Sequence, residues 1–267
     1  MIDALLINAA YLLAAAALLW VISVASGKVS FVDSIWGGAM AGLAIASALQ
    51  LAERGALATL ILLMTVLWGG RLFVHLILRF FRNGEDDRYR KMLPSPDNRI
   101  AFAVTALWKV WLLQAALIML VSSPAQVGIL AGEEMGIPLL AWVGFVLWLI
   151  GVFFEWVGDA QLARFKADPA NKGKVMDQGL WAYTRHPNYF GDACAWWGIW
   201  LACAAAGWTY ALWTIAGPIF LTFTLVKWSG AAMTESGMRE KYGDAFADYV
   251  RRTSSFIPAP PADKHKA

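Results

Sequence analysis

Between residues 4 and 228 the sequence is a succession of apolar runs, separated by short segments that hold most of the charge. Each run approaches the roughly 20 residues that an α-helix needs to cross a bilayer. The runs fall near residues 4–25, 31–52, 56–80, 101–123, 136–159, 190–206 and 208–228. They predict an all-α, polytopic membrane protein with seven transmembrane helices in a single membrane domain, 1–267. Composition agrees. Of the 267 residues, 59% are apolar and 15% charged, against about 45–50% and 25% in ordinary soluble domains. Mean hydropathy is +0.54.

Charge placement predicts the orientation, because Lys and Arg in short loops stay on the cytoplasmic side. With the N-terminus outside, the inner segments are 26–30, 81–100, 160–189 and 229–267. They carry Lys28; Arg82, Arg88, Arg90, Lys91 and Arg99; Arg164, Lys166, Lys172, Lys174 and Arg185; and Arg239, Lys241, Arg251, Arg252, Lys264 and Lys266. The outer loops hold only Arg54, and the loop expected at 124–135 carries Glu133 and Glu134. The C-terminus is then cytoplasmic. The N-terminal run lacks a basic leading region and is long for a cleavable signal, so it reads as the first span. A net charge of +3, from 22 Lys+Arg and 19 Asp+Glu, is too small for a nucleic-acid binder.

Cys194 and Cys203 sit in an Ala/Trp-rich apolar stretch and read as buried thiols. Three histidines, His75, His186 and His265, occur without HExxH or CxxC, so no metal site is expected. The stretch TESGMREKYGDAFADYVRR (234–252) has helical spacing and alternating charge, which predicts a helix on the cytoplasmic face. The terminal PAPPADKHKA has the composition of a disordered tail.

Ionisable groups within spans are expensive and point toward function, which singles out Asp33, Arg71, Glu155, Asp159 and Asp192. Arg71, His75 and Arg79 form one stripe on the third helix; packing between helices or snorkelling to the interface is the competing reading, above all for Arg79. Asp33 precedes Gly37 and Gly38, where a neighbour or ligand can approach closely; a helix cap is the competing reading. Gly84-Glu85-Asp86-Asp87-Arg88-Tyr89 lacks the ligand spacing of an EF-hand and by itself reads as a solvated loop.

The stretch from Glu155 to Asp192 is the most informative. Glu155 and Asp159 share a helix face, and Arg164, Lys166, Asn171, Lys172 and Lys174 follow in a segment able to surround an anion. Then Gly179 to Asp192 alternates aromatic rings with hydrogen-bonding groups, a mixture that suits a flat heteroaromatic ring with phosphates attached. No GxGxxG and no GxxxxGK[ST] is present, so a nucleotide here would be held without a Rossmann fold or P-loop. An aromatic belt with interfacial lysines accounts for Trp181 and the lysines, but poorly for the Arg-His-Pro-Asn-Tyr-Phe-Gly-Asp run.

The run GLWAYTRHPNYFGD, preceded by DAQLARFKADPANKG and followed by YGDAFADYVRRTSSFIP, resembles the C-terminal signature of the steroid 5α-reductase family. Related signatures occur in sterol C14 and C7 reductases and, more distantly, in isoprenylcysteine carboxyl methyltransferases. VSFVDSIWG, the Arg71 helix and GEDDRYRKM are similar to the bacterial branch of the family. The resemblance implies a seven-helix reductase in a bacterial inner membrane, using NADPH to reduce the Δ4 double bond of a 3-oxo steroid or a similar lipid enone. It implies a cofactor set of Asp159, Arg164, Lys166, Asn171, Trp181, Tyr183, Arg185, His186, Asn188, Tyr189 and Asp192 in the C-terminal half, 155–258, joined by Glu235, Arg239 and Tyr249. Asp33 best matches the acid that grips the substrate ketone, with Tyr89 and Arg71 the next candidates; the third helix offers Trp68 and no Tyr near Arg71.

A protonated acid near the ketone would stabilise the developing enolate, and the protein's part toward NADPH is to position it and exclude water. One alternative is a membrane methyltransferase using S-adenosylmethionine, a cofactor without phosphate that leaves the Lys166 to Lys174 cluster unexplained. Another is a seven-helix receptor or transporter without catalysis. No obligate protein partner is evident; the expected partners are membrane lipids and a lipid-soluble enone.

Overall fold

The computed structural model describes residues 1–228 and 230–262; Ser229 and residues 263–267, the end of the expected tail with Lys264, His265 and Lys266, lie outside the described residues. Among the described residues the chain is helical without a named strand. Six helices are long and apolar enough to cross a membrane: Ile2–Ser26, Val32–Leu49, Ala56–Asn83, Arg99–Ala131, Leu139–Ala167 and Trp208–Tyr242. This is an integral membrane protein. The run expected at 190–206 forms a helix, Pro187–Ala204, which is not among those six; its first two turns carry Asn188, Tyr189 and Asp192, and its middle is rich in Trp.

The residues cluster into two compact units. The first comprises Met1–Trp142 and Ile199–Gly217. In it Gly27, at φ 66°, ends the first helix and turns the chain into Val32–Leu49. That helix packs closely on Ala56–Asn83 through Gly37 and Gly69, where a methyl group on either would run into the other's carbonyl; small residues permit such approach between membrane helices. Deeper in the unit, Asn8 Nδ2 donates to Ser47 Oγ and Gln126 Oε1, both at 2.8 Å, and Gln50 Nε2 donates to Asn8 Oδ1 at 2.9 Å. Asn8, Ser47 and Gln126 are fully buried, so these amides satisfy one another where water is absent.

The loop expected at 124–135 is corrected: the fourth long helix continues through Pro124 to Ala131. Proline removes the N–H that would bond the carbonyl four residues back, here Leu120 O. Ser123 Oγ donates to that carbonyl at 2.8 Å, so the orphaned acceptor is satisfied within the turn and the helix survives. A π-helical turn, Leu107–Leu112, interrupts the same helix.

The second unit comprises Val143–Gly198 and the chain from Pro218 onward. Gly151 and Gly191, and likewise Gly198 against Gly144, bring Leu139–Ala167 and Pro187–Ala204 into backbone contact. Leu139–Ala167 outlasts the expected span ending at 159, so Arg164 and Lys166 occupy its last turn instead of a loop. The single helix expected over 234–252 is also corrected. Gly243, at φ 53°, breaks it into Ala231–Tyr242 and Asp244–Arg252, because its left-handed backbone cannot continue an α-helix. Beyond Arg252 the chain lies alongside Tyr183–Arg185: Arg185 N donates to Ser254 O at 2.9 Å, Thr184 Oγ1 to Phe256 O at 2.8 Å and Ala259 N to Tyr183 O at 3.0 Å.

Candidate functional site

In the first unit the site is built on the first turn of Val32–Leu49. Asp33 accepts from the Tyr89 hydroxyl at 2.6 Å through Oδ1 and from Arg88 Nη2 at 2.9 Å through Oδ2. Tyr89 and Arg88 come from a short helix, Asp87–Met92, whose N-cap Asp86 accepts from the backbone N–H of Arg88. Asp86 also takes the Arg88 side chain, through Nε at 3.1 Å and Nη2 at 3.0 Å. Arg88 therefore joins two carboxylates. The cavity beside them, about 120 Å³, is lined by Ser30, Asp33, Arg79, Asn83, Asp86 and Arg88 among others. Of the three expected catalytic groups Asp33 lines this cavity and Tyr89 is bonded to Asp33 from outside the lining, while Arg71 is not among the lining residues.

Burial, and after it the Asp33 carboxylate, pushes the Tyr89 phenol well above its usual range. The hydroxyl keeps its proton and acts as a donor. Burial of Asp86 works toward protonation, but the hydrogen bonds from Arg88 outweigh it and hold Asp86 below the usual carboxylate range. Both oxygens of Asp33 are engaged as acceptors.

Glu85, which by itself reads as part of a solvated loop and under the family resemblance as part of a lid over the cofactor or of the proton supply, fastens this assembly. Its carboxylate accepts from Val29 N at 3.0 Å, from Ser30 N at 3.2 Å and from Ser30 Oγ at 2.7 Å, and Ser30 Oγ accepts from Asp86 N at 3.1 Å. The loop is thereby tied to the start of the helix that carries Asp33. A carboxylate at a helix start also meets the positive end of the helix dipole. The sequence signal that could have found it was an acid directly following a helix-ending glycine. Arg79, assigned from sequence to snorkelling, lines the cavity.

The second unit holds all of the expected cofactor residues. His186 Nε2 and Arg185 Nε both meet Glu235 Oε1, at 3.0 and 2.8 Å. Arg185 Nη1 donates to Thr253 O at 2.6 Å and Val250 O at 3.4 Å. The Arg185 and Glu235 side chains are only 10% and 15% exposed. His186 is held below its ordinary pKa, first by burial, with Glu235 pulling the other way. A neutral ring that contacts a carboxylate through Nε2 carries its proton there. Its face stacks on Tyr189, centroids 5.2 Å apart, and the Tyr189 hydroxyl lies 3.5 Å from Thr234 Oγ1.

Asn188 Nδ2 donates to Asp159 Oδ1 at 3.2 Å. Trp181 is buried, its indole donating to Gly158 O at 3.0 Å while its carbonyl accepts from the Tyr249 hydroxyl at 2.6 Å. Asn171 Nδ2 donates to Phe165 O at 3.1 Å, closing the turn after the helix. Arg164, Lys166, Tyr183 and Arg239 are exposed, and Asp192 is half-buried. The site therefore divides. Arg185, His186, Asn188, Trp181, Glu235 and Tyr249 form an internally bonded platform, while Arg164, Lys166 and Arg239 are exposed. No group of three or more metal-ligating side chains occurs among the described residues.

A helical membrane protein with a buried Arg-His-Glu platform and an acid–phenol pair is the class these features define. The chain belongs to the family described as "Protein of unknown function (DUF1295)", whose sequence model matches residues 19–253. It is 38% identical to the "Probable O-methyltransferase ustE" of Ustilaginoidea virens, over 30% of this chain and 28% of that protein. It is 29% identical to "3-oxo-5-alpha-steroid 4-dehydrogenase 1" of Mus musculus, over 43% of this chain and 40% of that one. Both matches thus span less than half of the relative's length. An uncharacterised protein of Schizosaccharomyces pombe is 23% identical over 90% of this chain and 75% of its own. No solved structure matches.

Proposed function

We propose that this protein is a membrane oxidoreductase of the bacterial steroid 5α-reductase branch, reducing the carbon-carbon double bond of a 3-oxo-Δ4 steroid or similar lipid enone with NADPH. In this reading Pro187–Ala204 is a seventh span, the N-terminus is outside, and the basic segments face the cytoplasm of a bacterial inner membrane. The observation that carries it is the Tyr89 hydroxyl held 2.6 Å from Asp33 beside a polar cavity. Reduction of an enone places negative charge on the ketone oxygen, and a positioned donor in a water-poor site stabilises that charge. The one proton of the Tyr89 hydroxyl, given to Asp33 in this structure, turns to the ketone oxygen when Asp33 takes up a proton of its own, and Asp33 then donates to the phenol oxygen and orients it.

NADPH, when bound, supplies hydride. The donor set of the second unit fits a dinucleotide polyphosphate: Arg164, Lys166, Lys172, Lys174 and Arg239 are exposed cations, and the Arg185 platform of the same unit is rigidly bonded. Arg185 there acts by holding the chain at Thr184–His186 in place, and Asn188 by holding Asp159. The likeness to a relative named as a 3-oxo-steroid dehydrogenase supports the substrate class. The likeness to a relative named as a probable O-methyltransferase supports a second reading, methyl transfer from S-adenosylmethionine.

Purified protein in detergent, supplied with NADPH and a 3-oxo-Δ4 steroid, should lose reduced-nicotinamide absorbance in step with formation of saturated ketone. Lys166→Ala should weaken NADPH by roughly ten- to a hundredfold, the value of one charge-assisted contact, and NADH far less. Methyl transfer from S-adenosylmethionine without any nicotinamide oxidation would establish the second reading instead.

A further inference from the structure

Arg88 is bound far more completely to Asp86 than to Asp33. Asp86 takes its guanidinium as a two-pronged pair, Nε to Oδ1 at 3.1 Å and Nη2 to Oδ2 at 3.0 Å, and also accepts the Arg88 backbone N–H at 2.9 Å. Asp33 takes a single bond, from Nη2 to Oδ2 at 2.9 Å. A guanidinium held through two parallel bonds by one carboxylate is already paired in charge and direction. Letting go of Asp33 therefore costs Arg88 one hydrogen bond. The Arg88 side chain is 47% exposed, so it has solvent to move into.

For Asp33 the same bond is decisive. With Arg88 donating to Oδ2 and Tyr89 to Oδ1, both oxygens are acceptors, which is the arrangement of a carboxylate without its proton. Enone reduction as read above requires Asp33 to gain that proton, because only then does the Tyr89 hydrogen turn to the ketone. The other charged groups that face Asp33 are Asp86, across the shared guanidinium, and Glu85 and Arg79, in the lining of the same cavity. Glu85 is committed to Val29 and Ser30. Arg79 and Asn83 of that lining are exposed, so water reaches the acid from the cavity mouth.

We propose that Arg88 is a positioning residue that restrains the acid: it keeps Asp33 ionised in the resting protein, and its withdrawal onto Asp86 admits the proton to Asp33. The proton comes from cavity water, and the only interaction given up is the Nη2–Oδ2 hydrogen bond. Arg88 keeps its charge throughout. Two carboxylates against one guanidinium leave one negative charge uncancelled, and the proton on Asp33 cancels it. The use made of that proton rests on the oxidoreductase reading; the restraint itself does not.

The full chain in detergent is treated across a pH series with dicyclohexylcarbodiimide, which adds to a carboxyl group that carries its proton, and labelling of Asp33 is read by peptide mass spectrometry. Asp33→Asn should lose that label, which assigns it. Arg88→Gln should move the labelling midpoint upward by about one pH unit, the low end for an aspartate deprived of its arginine because both side chains are partly exposed. Asp86→Asn keeps an oxygen to cap the short helix but leaves Arg88 with Asp33 as its charged partner, and should move the midpoint downward. A merely loosened loop would shift both variants the same way. If the midpoints do not fall in the order Asp86→Asn, wild type, Arg88→Gln, the proposal is overturned. Wild-type protein that reduces no enone refutes the oxidoreductase reading alone, since the labelling needs no turnover.

Discussion

Removing the Glu85 carboxylate should release the loop that holds Tyr89 on Asp33, without unfolding the helices on either side. Glu85 serves three donors, two of them backbone N–H groups of Val29 and Ser30, which are themselves buried. A hydrogen bond to a charged acceptor contributes about 1.5–3 kcal/mol. Counting only the two backbone donors at the lower figure gives about 3 kcal/mol, or roughly a hundredfold in the open fraction of the loop. The segment offers trypsin Arg82, Arg88, Arg90 and Lys91, and when reclosing outpaces cleavage the cleavage rate follows the open population. Glu85→Ala should therefore be cut in this segment about a hundred times faster than wild type, and Glu85→Gln, which keeps one acceptor oxygen, at an intermediate rate. Cleavage of Glu85→Ala within twofold of wild type would refute the clasp.

Tyr89→Phe should lower NADPH-dependent enone reduction by about 10²–10³-fold, the usual cost of one donor to a developing oxyanion, while NADPH affinity measured by fluorescence stays unchanged. Glu235→Gln strands Arg185 and His186 in a largely dry site; a loss of about 3 kcal/mol should appear as a fall of roughly 6–12 °C in unfolding midpoint, and an unmoved midpoint would remove Glu235 from the platform. His186, held below its ordinary 6.5 by burial, gives a signed pH dependence. The unfolded chain takes up that proton first as pH falls, so stability is full above about 6.5 and declines through the interval below it, ending at the folded-state pKa. His186→Gln should flatten that part of the stability–pH curve.

The membrane-crossing helices were legible because an apolar run of spanning length has few other fates. Their ends were less so. The survival of the helix through Pro124 depends on where one serine hydroxyl points, and the break at Gly243 on a backbone angle that an otherwise uninterrupted periodicity conceals. In the candidate site, Asp33 and Tyr89 were named from the sequence and meet in space, whereas the fastening role of Glu85 was not legible, because its partners are backbone amides 56 and 55 positions away. The Arg185 region was read as an array of ligands; much of its polarity serves instead to bind the chain to itself. Part of that binding is through the carbonyls of Val250, Thr253 and Phe256. Every residue offers the same carbonyl, so no pattern of side chains announces these acceptors.

The pairing of Tyr183–Arg185 with the chain beyond Arg252 also sets a timetable for biogenesis. Arg185 and its carbonyl acceptor on Thr253 are separated by 68 positions, and closing a loop of that length costs entropy that only the completed contact returns. At about 5–20 residues per second of synthesis, roughly 3–14 s pass between translation of Arg185 and translation of the segment that anchors it. Throughout that interval the second unit's arginine and histidine exist without the backbone that will hold them. Insertion factors and lipid headgroups compete for them first, so a pause or a premature stop between the two segments would leave a chain already in the membrane with its platform unassembled.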